Sequence, residues 1–177
     1  MNTLFDCNTE IQQVEVYSNC NEEISKNNLP FGTKILTFSE GSSSSPSLFR
    51  QLLDNLPDTI TEIKLPNPYN LPLDNLPNSV THLTLGWSYN QPLNNLPNSI
   101  THLKFNHWGP YNQPLNHLPN GVKELVLGTH YKYGPEGLPD SIEKLVLGDS
   151  FDSPITTLPK NINTLILGSE FGLLLVT

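Results

Sequence analysis

The chain has 177 residues, which suits one folded unit, and its formal net charge of -8 disfavours binding to nucleic acid or to an anionic membrane. Sixteen prolines and the lack of any alanine exclude a fold built from helices. No stretch reaches the roughly 20 apolar residues of a membrane helix, and the first residues lack the plan of a signal peptide, so we expect a cytoplasmic protein.

Only two cysteines occur, Cys7 and Cys20. Two are too few for a secreted disulfide scaffold, and neither has a Cys or His companion at metal-ligand spacing. The sequence therefore predicts reduced thiols.

A repeat organises nearly the whole chain. Seven Leu-Pro dipeptides recur in phase, ending at Pro30, Pro57, Pro77, Pro97, Pro119, Pro139 and Pro159. Most steps are 20 residues. Apolar residues stand six and eight positions after each proline and, except for Thr33 after Pro30, also three positions after it. The residues six and eight positions after it are spaced so that both side chains point to one face of a strand. Because a coil of this size cannot cover its own apolar side, neighbouring coils must stack with their strands parallel.

At the N-terminal end, Ile11, Val14 and Val16 repeat this spacing in a degenerate copy, which we expect to cap the solenoid. Residues 1–48 are thus predicted to be N-terminal capping coils that include a Ser-rich loop. The serine tract after Gly41 predicts a flexible loop, followed by a single helical turn at Ser47 to Leu53.

The regular coils occupy residues 49–168. Strands are predicted near Thr81 to Leu85, Thr101 to Phe105, Lys123 to Leu127, Glu143 to Leu147 and Asn163 to Leu167. An aromatic residue precedes each proline by eight positions, at Phe49, Tyr69, Tyr89, Tyr111, Tyr131 and Phe151. Prolines near these aromatics predict turns or polyproline-like structure on the return path. We expect about eight coils of 20–22 residues, one short parallel strand in each, and little or no helix.

Residues 169–177 form an apolar tail, where a solenoid normally needs a polar cap. Two roles remain open for it. The tail either folds over the last coil or docks onto another copy of the chain.

The repeated phrase Tyr-Asn-x-Pro-Leu-x-x-Leu-Pro-x-Ser-Ile-Thr-x-Leu-x-Leu-Gly resembles the FNIP repeat, a relative of leucine-rich repeats (LRRs) in social amoebae and in giant viruses of amoebae. The resemblance implies an LRR-like solenoid used for protein association, in the host cytoplasm if the protein is viral. Viral members often carry an F-box that would recruit a ubiquitin ligase. Residues 1–48 show no such helical segment, so a substrate-binding adaptor would here lack its F-box.

The outward positions of the strands supply the first candidate site. Val126, Val146 and Ile166 fall in one outward column on successive strands, and a contiguous apolar patch marks an interaction site. Alternatively, they are ordinary strand formers, because β-branched residues favour pleated surfaces. Lys104 precedes them in the same column.

Two histidines, His82 and His102, should lie side by side in the other outward column, between Glu62 and Glu124. Imidazoles and carboxylates are ligands for zinc or nickel. However, each histidine belongs to the repeated Thr-His phrase, so duplication alone explains the pair. We predict no metal and no cofactor, and keep both histidines as candidates for partner binding.

Trp87 and Trp108 follow the strands of neighbouring coils, where large aromatics are good candidates for interface hot spots or covers for the core edge. The aromatic residues eight positions before the prolines could stack on sugars. However, they keep a fixed spacing from the core positions of every coil, which favours packing in the core.

No sequence motif indicates catalysis, and an open sheet lacks an enclosed pocket. The sequence therefore predicts a non-enzymatic module that binds another protein. A structural or self-associating role is the alternative, and glycan binding ranks below both.

Overall fold

The computed structural model describes residues 11–42 and 45–169. Ten strands follow one another along the chain: β1 Gln13–Val16, β2 Ile35–Phe38, β3 Gly41–Ser42, β4 Ser45–Pro46, β5 Glu62–Lys64, β6 His82–Leu85, β7 His102–Phe105, β8 Glu124–Val126, β9 Lys144–Val146 and β10 Thr164–Ile166. Eight of them form one sheet in the order β1-β2-β5-β6-β7-β8-β9-β10, and every pair in it is parallel. The predicted fold is confirmed, and the described residues contain no helix.

The Leu-Pro dipeptide begins a turn that directs the chain into each strand. In each regular coil the proline carbonyl accepts a hydrogen bond from the amide three residues later, as from Ile100 to Pro97 at 3.1 Å. This turn places the apolar residue after it in the core, where Ile100 is fully buried. The dipeptide therefore sets where each strand starts.

Neighbouring coils share one hydrogen-bond pattern. The amides of Thr101 and His102 both donate to the Thr81 carbonyl, at 2.9 and 3.0 Å. Farther along the strand, the Leu127 amide donates to the Val146 carbonyl of the next coil at 2.9 Å. Every internal coil therefore forms backbone hydrogen bonds with the coil before it and with the coil after it.

The core is a stack of columns, with one residue from each coil. In the column of Leu103, six internal members are at most 1% exposed: Leu36, Ile63, Leu83, Leu103, Leu125 and Leu145. The aromatic column is also buried, as Tyr89 and Tyr111 illustrate with parallel rings 6.4 Å apart. This column packs the return path, and its rings are not available to stack on a sugar.

One expectation for residues 39–53 was wrong. No helical turn forms at Ser47 to Leu53, because the Ser47 and Leu48 amides bond to the Glu40 and Ser18 carbonyls. Phe49 and Leu53 are buried. In the Ser-rich stretch, β3 and β4 form an antiparallel ladder separate from the main sheet, and the flexibility of this loop stays a prediction. The tail, apart from Ser169, lies outside the described residues.

Candidate functional site

The outward face of the sheet carries two columns of side chains, because alternate residues of each strand point away from the core. The histidine column contains Gln13, Ile35, Glu62, His82, His102, Glu124, Lys144 and Thr164. The valine column contains Glu15, Thr37, Lys64, Thr84, Lys104, Val126, Val146 and Ile166. Among the described residues, strand contacts are made only with neighbouring strands, so no strand of another layer covers this face.

The apolar patch has the predicted register but is unevenly exposed. Val126 pairs with Val146, and Val146 pairs with Ile166. Val126 and Val146 are half-buried, whereas Ile166 is 46% exposed. The two valines are therefore partly shielded within the sheet, and a role of this column in partner binding stays a prediction. The patch that remains open is centred on the last strand.

His82 and His102 are stacked, with ring centroids 4.2 Å apart and planes 8° from parallel. The preceding threonine fixes each ring. Thr81 Oγ1 lies 2.9 Å from His82 Nδ1 and donates its proton to the Thr61 carbonyl at 3.1 Å. Thr101 repeats this arrangement beside His102. A hydroxyl has one proton to donate, so the threonine oxygen accepts from Nδ1–H and Nε2 keeps its lone pair.

Charge around this pair is set by one ion pair. Lys144 Nζ donates to Glu124 Oε1 at 2.9 Å, which lowers the pKa of the Glu124 carboxyl. Burial, and then the neighbouring His82, lower the pKa of His102. The lowered pKa favours the neutral form of His102, whose Nε2 then presents a hydrogen-bond acceptor beside the stacked His82 ring.

Lys104 connects the histidines to the apolar patch. It is exposed, its strand neighbours in the valine column are Thr84 and Val126, and its ammonium group has no ion pair among the described residues. Together with His82 and His102 it borders a shallow depression of ≈ 180 Å³ that also reaches Glu62, Glu124 and Val126. This depression and the apolar patch are adjoining parts of one surface.

The described residues contain no group of three or more Cys, His, Asp or Glu side chains that could hold a metal ion. His82 and His102 lie beside Glu62 and Glu124 as predicted, but these four do not converge on one point. The absence of a bound metal stays a prediction.

A second surface, which we call the tryptophan edge, follows the strand ends and contains Trp87, His107, Trp108 and Asp149; Thr129, whose Oγ1 lies 3.5 Å from His107 Nε2, is buried behind it. Trp87 and Trp108 are 52% and 64% exposed, so neither closes the core. Trp87 Nε1 donates to the Trp108 carbonyl at 2.8 Å, and His107 Nε2 lies 3.3 Å from Asp149 Oδ2.

Thr129 and Asp149 were missed by sequence reasoning. Both stand ten residues after a repeat proline, as do Trp87 and His107. This shared offset was the available signal. It was overlooked because the side chains in that column differ in chemistry.

No helix among the described residues is long and apolar enough to span a membrane. Cys20, which is half-buried, is a free thiol, while Cys7 lies outside the described residues.

Two segments, residues 69–107 and 133–170, match the FNIP repeat. No curated protein matches the chain. Among solved structures, it is similar to CroV588, a giant-virus protein described as a novel circular LRR protein, with a TM-score of 0.56 and 26% sequence identity. The match covers 91% of this chain and 34% of that chain, so this chain spans about a third of its length. Two segments of the chain are therefore similar to FNIP repeats, and the chain folds as an LRR-like parallel solenoid.

Proposed function

We propose that this chain is a non-enzymatic protein-interaction module that binds its partner through the outward sheet face, from His82 to Ile166. The observation that supports this most is that polar, charged and apolar side chains lie on neighbouring strands of one open sheet face, in the register of the strand pairing. Two acceptors, one unpaired cation and an apolar patch follow one another across β6 to β10.

The surface favours an extended peptide segment. A carboxylate of the partner would meet Lys104, and its backbone or hydroxyl donors would meet the free Nε2 atoms of His82 and His102. An apolar side chain would cover Ile166 beside Val146. Covering apolar area contributes about 25 cal/mol per Å², and an interface of this kind supplies one apolar anchor with polar contacts around it.

Peptides selected from a random display library against the wild-type protein would test this surface. The variant Val126→Ser, Val146→Ser, Ile166→Ser should weaken binding of the selected peptides by about tenfold or more, equivalent to ~1.4 kcal/mol. Lys104→Glu should weaken acidic peptides most. The matched control Glu15→Ser, Thr37→Ser, Lys64→Ser changes the same column near the N-terminal end, outside the proposed surface, and should bind as wild type.

Unchanged affinity in the triple serine variant, with its fold intact, would contradict the proposed surface. Selection should then be repeated with Trp87→Ser and Trp108→Ser, because both tryptophans of the tryptophan edge are exposed. If the triple variant unfolds, the two valines are part of the core and the assignment of faces at the C-terminal end is wrong.

The biological setting that the similarity to FNIP repeats favours is a substrate-binding adaptor without an F-box, in the cytoplasm, or in the host cytoplasm if the protein is viral. In that role the sheet face would hold a substrate protein. Co-expression with a tagged ubiquitin ligase subunit would test it: recovery with the ligase through a contact other than an F-box would support the adaptor role, and no recovery would contradict it.

Self-association is the second candidate function, favoured by the incomplete burial of both end coils. Leu165 and Val14 are half-exposed, whereas the equivalent internal residues are at most 1% exposed. The similar circular protein is about three chain lengths long, so a closed ring of such coils would contain three copies. Sedimentation should then show a trimer whose fraction rises with concentration.

A further inference from the structure

We propose that copies of this chain join head to tail, with β10 of one copy pairing in parallel with β1 of the next. This inference rests on the proposed self-association and specifies its interface. Its predicted register places Thr164 opposite Gln13, Leu165 opposite Val14 and Ile166 opposite Glu15.

The C-terminal face of the last coil lacks the cover that every internal coil receives from its successor. Leu158 is 37% exposed, whereas Leu138 at the same position of the preceding coil is 8% exposed. Ile162 and Leu167 are likewise half-exposed, while Ile142 and Leu147 are buried. The uncovered surface is therefore the coil-stacking face itself, with the shape and apolar character of an internal face.

The N-terminal face is incomplete in two of the matching columns. Ile11 and Val14 are partly exposed and occupy the columns of Ile162 and Leu165, while Val16, in the column of Leu167, is buried. Because the two faces are opposite sides of one repeated coil interface, each presents what the other lacks. This is the geometry of a heterologous contact, which closes into a ring or extends into a filament.

The unpaired backbone groups at the two ends of the sheet also match each other, independently of the side chains. Inside the sheet, each carbonyl equivalent to that of Asn163 accepts two amides from the next coil, as the Glu143 carbonyl does from Asn163 and Thr164 at 2.8 and 3.0 Å. The amide equivalent to that of Leu167 donates to the next coil, as the Leu147 amide does to the Ile166 carbonyl at 2.9 Å. Among the described residues, the Asn163 carbonyl and the Leu167 amide have no such partner.

The edge of β1 carries the complementary set. The Gln12 carbonyl already accepts the Lys34 and Ile35 amides, so the Gln12 and Gln13 amides and the Glu15 carbonyl face away from β2. These two amides would donate to the Asn163 carbonyl of a neighbouring copy, and the Leu167 amide of that copy would donate to the Glu15 carbonyl. An open strand edge of this kind is a template for pairing with another chain.

Cysteine cross-linking tests the register. In a background with Cys7→Ser and Cys20→Ser, the pair Gln13→Cys and Thr164→Cys should give intermolecular disulfides on mild oxidation, since partner Cα atoms about 4.8 Å apart fit a disulfide. Within one copy the two positions are seven strand spacings apart, roughly 34 Å, so they cannot react with each other. The control pair Glu15→Cys and Thr164→Cys lies two residues out of register and should cross-link at least fivefold less.

Face-blocking variants test the head-to-tail mode. Val14→Lys and Leu165→Lys should each be monomeric, because a charge replaces one side of the interface. Mixed together, they should form a dimer with one copy of each, since one intact head and one intact tail remain. Leu167→Pro provides a milder block, because it removes the unpaired N–H and keeps an apolar side chain.

Two outcomes overturn the proposal in distinguishable ways. An oligomer that forms without the Gln13–Thr164 cross-link leaves self-association standing but shows that the interface is elsewhere. A wild-type protein that stays monomeric at all concentrations contradicts both self-association and the head-to-tail interface. Cover of the end coils by residues 1–10 or 170–177 of the same chain would then be the alternative to test.

Discussion

The internal coils and the last coil share nearly the same residue pattern, but their apolar side chains differ in burial. Leu103 and Leu165 stand six residues after their prolines and enter the same column, yet Leu103 is 1% exposed and Leu165 is half-exposed. Leu103 has a coil on either side, whereas Leu165 has a described coil only on the side of β9. Burial in this fold is therefore supplied by neighbouring coils, and an end coil is an unfinished copy of an internal one.

Truncating the two leucines sharpens this comparison most. Leu103→Ala should lower the free energy of unfolding by roughly 2 to 5 kcal/mol, because it leaves a cavity in a closed column. Leu165→Ala should cost less than half as much, since its side chain already contacts water. Chemical denaturation of both variants checks this, with Lys104→Ala as a nearly neutral control on the outward face. Equal losses for the two leucines would show that the last coil is covered.

Glycines after the strands test how closely internal coils approach. A Cβ on Gly86 would collide with the backbone carbonyl of Pro66 in the preceding coil, so Gly86→Ala should destabilise by about 1 to 3 kcal/mol. In Gly134→Ala the collision is with the flexible Glu136 side chain, which can move away. Thermal melting should separate the two variants clearly. A Gly86→Ala protein as stable as Gly134→Ala would mean that the coils are not in tight contact there.

A substitution in the buried aromatic column should change stability less than those above, and in the opposite direction. Burial raises the pKa of the Tyr89 phenol, and its buried hydroxyl has no hydrogen-bond partner within the described part of the chain. An unpaired buried polar group is costly, so Tyr89→Phe should leave stability unchanged or raise it by up to about 1 kcal/mol. Denaturant midpoints measure this. A loss above that size would reveal a hydrogen bond that the hydroxyl makes.

The smallest expected effect is a dependence on pH that arises at His102. Its pKa is lowered in the folded chain, so the unfolded chain binds the proton more readily. Stability should therefore be complete above the ordinary histidine pKa of about 6.5 and decline as pH falls below it. His102→Asn should remove part of that decline. Identical pH profiles for wild type and His102→Asn would contradict the assignment.

The regular part of this fold was predictable because its signal is repeated. The same offsets from each Leu-Pro locate the turn, the strand and both outward columns, so the register of Val126 with Val146 follows from counting. Ser47 to Leu53 was mispredicted because its amides bond to distant carbonyls, which local propensity cannot reveal. The hydrogen bonds that orient His82 and His102 were missed, since they need the position of a carbonyl in another coil. Partial shielding of Val126 likewise depends on neighbouring side chains.

Hydrogen exchange at the Leu167 amide tests most directly whether the last coil is an unfinished copy of an internal one. In dilute protein this amide should exchange fast, whereas the equivalent Leu127 amide, bonded to Val146, should be protected. Raising the protein concentration should slow exchange at Leu167 and leave Leu127 unchanged, because a second copy then supplies the missing carbonyl. Equal protection of the two amides at every concentration would contradict the account.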